Sequence, residues 1–252
     1  MGIDNIFGKH QFLLDDTKTI ELNNSLLFIK RKKEGWCFFT SEKFSEETPD
    51  FSKGDYFHTG KSNSLIIIPA LPEKPLVFKG NMLKVSPGYK LSFFLKIPVT
   101  LQFYYSKNQP ENLMKEVVSK QLSNTWFGEP DDGEPALAME NEYYFEFEEV
   151  ETSQFEAICP VTITNNSAAL LEVKRLIIRT ENLAIYRNGD KKVTSSVNVE
   201  LDGQDTISPA KYRYSKIYSG EEYNICVKPK NTNDKSLFKI NKHFIKNIHK
   251  NN

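Results

Sequence analysis

Short apolar stretches recur along most of the chain, and polar or turn-forming residues separate each one from the next. Stretches of about four to eight residues that are rich in β-branched and aromatic side chains predict strands. Turn residues join several of them at hairpin spacing, as at Lys32–Gly35 and Asn188–Asp190. The pattern predicts an all-β fold of two β-sandwich-like units, residues 1–125 and 126–252.

Two segments interrupt the strand pattern and predict helices. Pro110 marks a start, and Leu113 and Val117 follow at helical spacing, so a short central helix is predicted over 110–122. In 236–252, apolar residues recur every three or four positions among lysines, which predicts a basic amphipathic helix. This C-terminal helix either docks on a sheet with its lysines in solvent, or contacts an anionic membrane or an acidic partner.

The segment 129–156 is strongly acidic and contains no Lys or Arg. Its carboxylates are Glu129, Asp131, Asp132, Glu134, Glu140, Glu142, Glu146, Glu148, Glu149, Glu151 and Glu156. Over 142–148, glutamates alternate with aromatic residues, which predicts a strand with an acidic face and an aromatic face. The acidic face is interpreted as a solvated edge that discourages aggregation, or as a contact surface for a protein partner.

This strand interpretation makes opposite predictions for its two faces. Replacing Glu146 and Glu148 by Gln should change stability by no more than about 0.5 kcal/mol, because both project into solvent. The ring of Phe145 should lie in the core with Tyr143 and Phe147, so Phe145→Ala should cost about 3–5 kcal/mol.

The segment 126–133 is the sharpest local feature, because two glycines and a proline constrain its path. Its candidate ligand or partner residues are Trp126, Phe127, Glu129, Asp131 and Asp132. Aromatic rings beside carboxylates could bind a sugar or a cation, although the order of calcium ligands in an EF-hand loop is missing. The alternative is a structural turn whose Trp126 and Phe127 plug the seam between the units.

Composition excludes several classes of function. The formal net charge is zero, which argues against nucleic-acid binding. Three widely spaced cysteines without a CxxC pair predict reduced thiols and a cytoplasmic location. No signal peptide is visible, and the longest apolar run, Leu65–Ile68, is too short to span a bilayer. Nucleophile, nucleotide-binding and metal-ligand motifs are missing, so no catalytic residue, cofactor or metal is predicted.

The second half of the chain resembles a known family. Phe127–Gly133 matches an aromatic-Gly-x-Pro-x-x-Gly turn of the archaeal and bacterial proteins catalogued as domain of unknown function 432. The resemblance continues through the segments Ala157–Asn165, Val173–Ile178, Ala184–Tyr186 and Ser196–Val199. These motifs are structural and imply no catalytic residues, and the chain departs from the family pattern in the acidic segment after Gly133. Some relatives are similar in context to mechanosensitive-channel systems, which implies a membrane-protein partner.

The sequence therefore predicts a non-enzymatic protein-interaction or ligand-binding module. Its contact surface is expected either on the acidic face around Glu146 and Glu148 or at the Trp126 loop. The alternative is a carboxylate-based hydrolase or a carbohydrate-binding protein that uses the Trp126–Asp132 loop. A cleft that holds two carboxylates would favour the alternative, and a convex acidic face would favour the interaction module.

Overall fold

A computed structural model describes residues 6–42, 48–79, 83–128, 131, 133–139, 142–173, 175–202, 206–207 and 210–231. These residues form strands and four short 3-10 helices, which confirms the all-β fold. The first strands are β1 Gly8–Gln11, β2 Thr17–Glu21, β3 Ser25–Lys32, β4 Gly35–Glu42, β5 Asp55–His58, β6 Ser64–Ala70, β7 Leu76–Phe78, β8 Leu83–Val85, β9 Lys90–Pro98, β10 Thr100–Tyr105, β11 Leu113–Val118, β12 Asn124–Phe127 and β13 Glu134–Met139.

The remaining strands are β14 Tyr143–Tyr144, β15 Glu156–Asn165, β16 Leu171–Val173, β17 Leu176–Ile178, β18 Ile185–Asn188, β19 Lys191–Thr194, β20 Ser196–Asp202, β21 Thr206–Ile207, β22 Lys211–Arg213, β23 Ile217–Tyr218, β24 Glu221–Glu222 and β25 Asn224–Val227. The 3-10 helices are Phe51–Lys53, Pro110–Asn112, Phe147–Glu149 and Thr180–Asn182.

The predicted central helix over 110–122 is wrong. Only Pro110–Asn112 is helical, and Leu113–Val118 forms β11, which pairs antiparallel with β10. Leu113 and Val117 are four residues apart. This spacing places them on one face of a helix, and, because strand side chains alternate every two residues, also on one face of a strand. Pairing with β10 makes this segment a strand. The Glu116 side chain of β11 also accepts hydrogen bonds from the side chains of Thr100 and Gln102 of β10. The predicted C-terminal helix, 236–252, lies outside the described residues.

The chain divides into two compact units, each built from two segments. The first combines Met1–Ala70 with Val99–Gln121, and the second combines Leu71–Pro98 with Leu122–Asn252. The segment 71–98 belongs to the second unit because β7 pairs with β13 and β17, and β9 pairs with β14 and β15. A single division after residue 125, as the sequence pattern suggests, assigns this segment to the first domain instead.

The first unit contains two four-stranded antiparallel sheets. Sheet A has the order β2-β3-β4-β5, and sheet B has the order β1-β6-β10-β11. Their apolar faces meet at Phe38 of β4 and Phe103 of β10, whose ring centroids lie 5.2 Å apart. Alternate residues of β3 are buried, among them Leu27 and Ile29, as expected for strands with one face in a core.

The second unit is organised around β15, the longest of the described strands. β15 pairs antiparallel with β9 on one side and parallel with β19 and β20 on the other. These strands belong to sheet D, which also contains β14, β18, β25, β21 and β22. A four-stranded sheet C, β12-β13-β7-β17, packs near it, since Phe78 of β7 and Phe93 of β9 have ring centroids 6.5 Å apart.

A buried asparagine anchors the end of β15. The Nδ2 of Asn165 donates hydrogen bonds to the carbonyl oxygens of Val85 and Ala169, each at 2.8 Å. Its Oδ1 accepts from the main-chain N–H of Ser167 at 3.0 Å and from the Ser167 hydroxyl at 2.6 Å. The side chain therefore connects the segment that follows β15 to β8, and its polar atoms are satisfied although Asn165 is fully buried.

Candidate functional site

The acidic segment of the second unit does not form the continuous strand that the sequence predicts. Strand β14 covers only Tyr143–Tyr144, which pair with Leu95 and Phe94 of β9. After a bend, Phe147–Glu149 form a 3-10 helix, in which the main-chain N–H of Val150 donates to the carbonyl of Phe147 at 3.2 Å. The side chains that share one face of the segment are therefore two residues apart in β14 and three residues apart in the 3-10 helix.

The change of period corrects the prediction for Phe145. Its side chain is 52% exposed, whereas Phe147, which begins the 3-10 helix, and Val150, which caps it, are buried. Phe147 and Val150 join a core cluster with Ile158, Tyr186 and other residues of sheet D. The ring of Phe145 contacts only Tyr143 among the described rings, with centroids 5.4 Å apart. The predicted cost of about 3–5 kcal/mol for a buried ring therefore belongs to Phe147, and the prediction for Phe145 is wrong.

The carboxylates of residues 142–151 face solvent and form no ion pair with described residues. The acidic surface is defined here as the exposed side chains of Glu142, Phe145, Glu146, Glu148, Glu149 and Glu151. None of its five glutamates forms an ion pair with any described residue. Exposed carboxylates without ion pairs, together with the half-exposed ring of Phe145, give this segment a negative surface with an apolar component.

Neighbouring groups order parts of the acidic surface, and Lys96 and Lys191 interact electrostatically with Glu142 and Glu148 without forming ion pairs with them. The hydroxyl of Ser219 donates to Glu148, and this hydrogen bond lowers the pKa of the Glu148 carboxyl. Two lysines lie nearby but pack on aromatic rings: the Nζ of Lys96 is 5.2 Å from the Tyr144 centroid, and that of Lys191 is 5.6 Å from the Phe147 centroid. A hydrogen bond with Tyr144 raises the pKa of Lys96, which stays charged.

The Trp126 loop begins on the β12–β13 hairpin, where Trp126 pairs with Pro135 and Phe127 with Glu134. The two aromatic residues point to opposite faces, as successive residues of a strand do. Phe127 is buried with Val77 and Ala136, whereas Trp126 is 44% exposed. Exposure of Trp126 departs from the structural interpretation, in which both rings are buried.

The turn that follows is described only in part. Gly128 has φ +110°, a conformation that favours glycine, and Asp131 is exposed. The candidate residues Glu129 and Asp132 lie outside the described residues. The structure therefore places Trp126 and Asp131 at the surface and leaves the full set of loop carboxylates undescribed.

Two arginines support this hairpin, and the sequence analysis does not identify either of them. Arg175 donates from Nη2 to the Trp126 carbonyl at 2.6 Å, and its guanidinium carbon lies 5.5 Å from the Phe127 ring centroid. Arg179 binds both carboxylate oxygens of Glu134, with Nη1 2.9 Å from Oε2. Desolvation lowers the pKa of Arg179, but Glu134 outweighs it and the net shift is upward. No local motif indicates these pairs, because 45 residues separate Glu134 from Arg179.

Metal-binding and redox groups are sparse in the described part of the chain. No group of three or more His, Cys, Asp or Glu side chains there could hold a metal ion. Cys37, Cys159 and Cys226 are free thiols, in agreement with the sequence prediction. Burial raises the pKa of Cys159 to about 12, so this thiol is protonated at neutral pH. None of the helices within the described ranges is long and apolar enough to cross a membrane.

Comparison with known proteins identifies the family. The model of the family described as a protein of unknown function, DUF432, matches residues 6–246. The chain belongs to the DUF432 family. The matched residues cover nearly the whole of this DUF432 chain, whereas the motif resemblance lies in its second half. Neither the curated proteins nor the solved structures contain a match to this DUF432 chain.

Proposed function

We propose that this DUF432 protein is a non-enzymatic β-sandwich protein that binds a basic protein partner through its acidic surface. The observation that carries the proposal is the set of five exposed glutamates without ion pairs among the described residues. Surface carboxylates normally alternate with cations, and a concentration of one sign accelerates encounter with a partner of the opposite sign.

Phe145 supplies the apolar component that a protein interface needs. Its ring is 52% exposed and lies against Tyr143, which holds it in place at the surface. Aromatic residues are enriched among the side chains that dominate binding energy, and charged residues around them contribute specificity and association rate. A basic segment that also carries an apolar side chain is therefore the partner chemistry that this surface fits. The three free thiols are compatible with the cytoplasmic location that the sequence predicts.

The proposal predicts that charge removal at the acidic surface weakens binding of a basic peptide. In the test variant, Glu146, Glu149 and Glu151 are replaced by Gln. The probe is fluorescein-labelled octalysine, and its affinity is measured by fluorescence anisotropy at several salt concentrations. We expect affinity to fall about tenfold, or ~1.4 kcal/mol, in the test variant. We also expect added salt to weaken binding to the parent protein, because exposed charges are screened.

The matched control removes the same number of charges elsewhere. Glu42, Glu73 and Glu111 are exposed and form no ion pair with described residues, so their triple Gln variant has the same net charge as the test variant. If both triple variants lose affinity equally, octalysine responds only to net charge and the acidic surface is not its site. If neither loses affinity, the proposal is overturned.

A carbohydrate-binding function, or a carboxylate-based hydrolase, remains the second candidate because Trp126 is 44% exposed. A flat exposed ring could stack on a sugar, Asp131 is exposed on the same loop, and Arg175 holds the main chain of Trp126 in place. The two proposals are distinguished by titrating the protein with cellohexaose and measuring its tryptophan fluorescence at each addition. We expect no saturable change. A saturable change that Trp126→Ala abolishes, or release of shorter oligosaccharides, would favour the second candidate.

A further inference from the structure

The first unit contains a buried guanidinium whose hydrogen-bond acceptors are main-chain carbonyls. Arg31 is 4% exposed; its Nη1 donates to Gly35 O at 2.7 Å and its Nη2 to Gly60 O at 3.2 Å. No described carboxylate forms an ion pair with it. Burial lowers the pKa of Arg31, but an arginine remains charged at neutral pH. A full positive charge is thus buried without a negative counterpart in the described residues.

Two hydrogen-bond donors on residues adjacent in sequence to these acceptors are also buried and unpaired among the described residues. They are the indole Nε1 of Trp36 and the hydroxyl of Thr59, and neither has a hydrogen-bond partner among the described residues. Trp36 directly follows Gly35, and Thr59 directly precedes Gly60, so each donor adjoins a residue that binds Arg31. The guanidinium carbon lies 5.4 Å from the centroid of the Trp36 ring. An indole N–H can only donate, and since no described residue accepts from it, a bound anion would supply the acceptor.

We infer that the first unit binds a small monovalent anion of the halide type at the Arg31 guanidinium, next to the Trp36 Nε1–H and the Thr59 hydroxyl. One monovalent anion neutralises the one buried charge, whereas a divalent oxyanion would leave a second charge uncompensated in an apolar surrounding. A monatomic anion also suits the surroundings better than a larger one. Trp36 is 0% exposed, and Phe12 packs edge-on against it, with ring centroids 5.0 Å apart. Chloride is the abundant ion of this class.

The inference predicts stabilisation by chloride at constant ionic strength. Melting temperature is measured while chloride replaces gluconate, whose bulk excludes it from an enclosed site. Over a hundredfold rise in chloride above its dissociation constant, we expect the melting temperature to increase by about 5–10 °C. Trp36→Phe, which keeps the ring and removes the N–H, should reduce the increase, and Arg31→Gln should abolish it. Arg213→Gln, an exposed arginine in the second unit, is the control and should keep the full increase.

A second measurement leaves all proposed ligands intact in case Arg31→Gln fails to fold. In a Trp126→Phe background, Trp36 is the single tryptophan and is shielded from collisions. Bromide bound beside its Nε1 should quench this fluorescence in a saturable way, and chloride should compete. Linear quenching without competition, or equal melting temperatures of the parent protein in chloride and gluconate, would overturn the inference. Neither outcome depends on the acidic surface, so the proposed function is tested separately.

Discussion

Phe147→Ala is expected to lower the free energy of unfolding by about 3–5 kcal/mol, because a large ring leaves a packed core. Phe147 is 8% exposed and contacts Phe94, with ring centroids 5.6 Å apart. It belongs to the core cluster that joins the acidic segment to β15, β18 and β19. Ile158 of β15 and Tyr186 of β18 are members of this cluster. The variant loses this burial, and neighbouring strands cannot close the cavity because their main chains are paired on both sides.

Phe145→Ala is the matched control, since it removes the same ring two residues earlier in the chain. Its side chain is 52% exposed, so we expect a cost of about 1 kcal/mol or less. Chemical denaturation monitored by circular dichroism measures both variants. If Phe145→Ala proves the more damaging of the two, the strand interpretation with Phe145 in the core is right and the 3-10 geometry is wrong.

Asn165→Ala is expected to cost about 2–4 kcal/mol, because the deleted amide leaves buried main-chain groups without partners. The Val85 carbonyl and the Ser167 N–H lose the Asn165 side chain, whereas the Ala169 carbonyl keeps the Ser167 hydroxyl as a donor. Asn165→Asp should be at least as destabilising as Asn165→Ala. An aspartate keeps the acceptor for Ser167, but it buries a carboxylate whose second oxygen faces the carbonyl oxygens of Val85 and Ala169 in place of the Nδ2 donor.

Asn166→Ala controls for the loss of an asparagine at a neighbouring position. Asn166 is exposed, and its main-chain N–H donates to the Leu201 carbonyl, a hydrogen bond that alanine preserves. We therefore expect a change within about 0.5 kcal/mol, measured by thermal and chemical unfolding. Equal effects of the alanine substitutions at 165 and 166 would show that the buried amide network contributes nothing beyond the local turn.

The candidate site was only partly predictable from the sequence. A concentration of carboxylates is visible without any structure, so the acidic surface could be located around Glu146 and Glu148. The sequence could not show which aromatic residue lies beneath this surface. Phe145 and Phe147 have the same side chain, and both stand among glutamates. The main-chain N–H of Val150 bonds to Phe147 and establishes a period of three residues there. That hydrogen bond, together with packing on Phe94, buries Phe147 and leaves Phe145 outside.

Pairs between distant residues were equally beyond a sequence pattern. By its sequence context Arg31 is one more polar residue in a strand, and only the approach of Gly60, 29 residues away, shows that its charge is enclosed. Glu134 counts as one of many acids until Arg179 binds both of its oxygens. In each case the partner comes from another strand or loop, and no local spacing encodes that meeting.

The sequence by itself determined the all-β class, the hairpin at Gly189, the free cysteines and the acidic segment. These properties depend on residue type and on neighbours within a few positions, such as the φ of +56° that glycine allows. Only the tertiary structure decided that Leu113–Val118 is a strand and that 71–98 joins the second unit. Strand pairing supplies those answers, because main-chain hydrogen bonds between distant segments depend on which strands meet, whereas side-chain periodicity records only which face of each strand is buried.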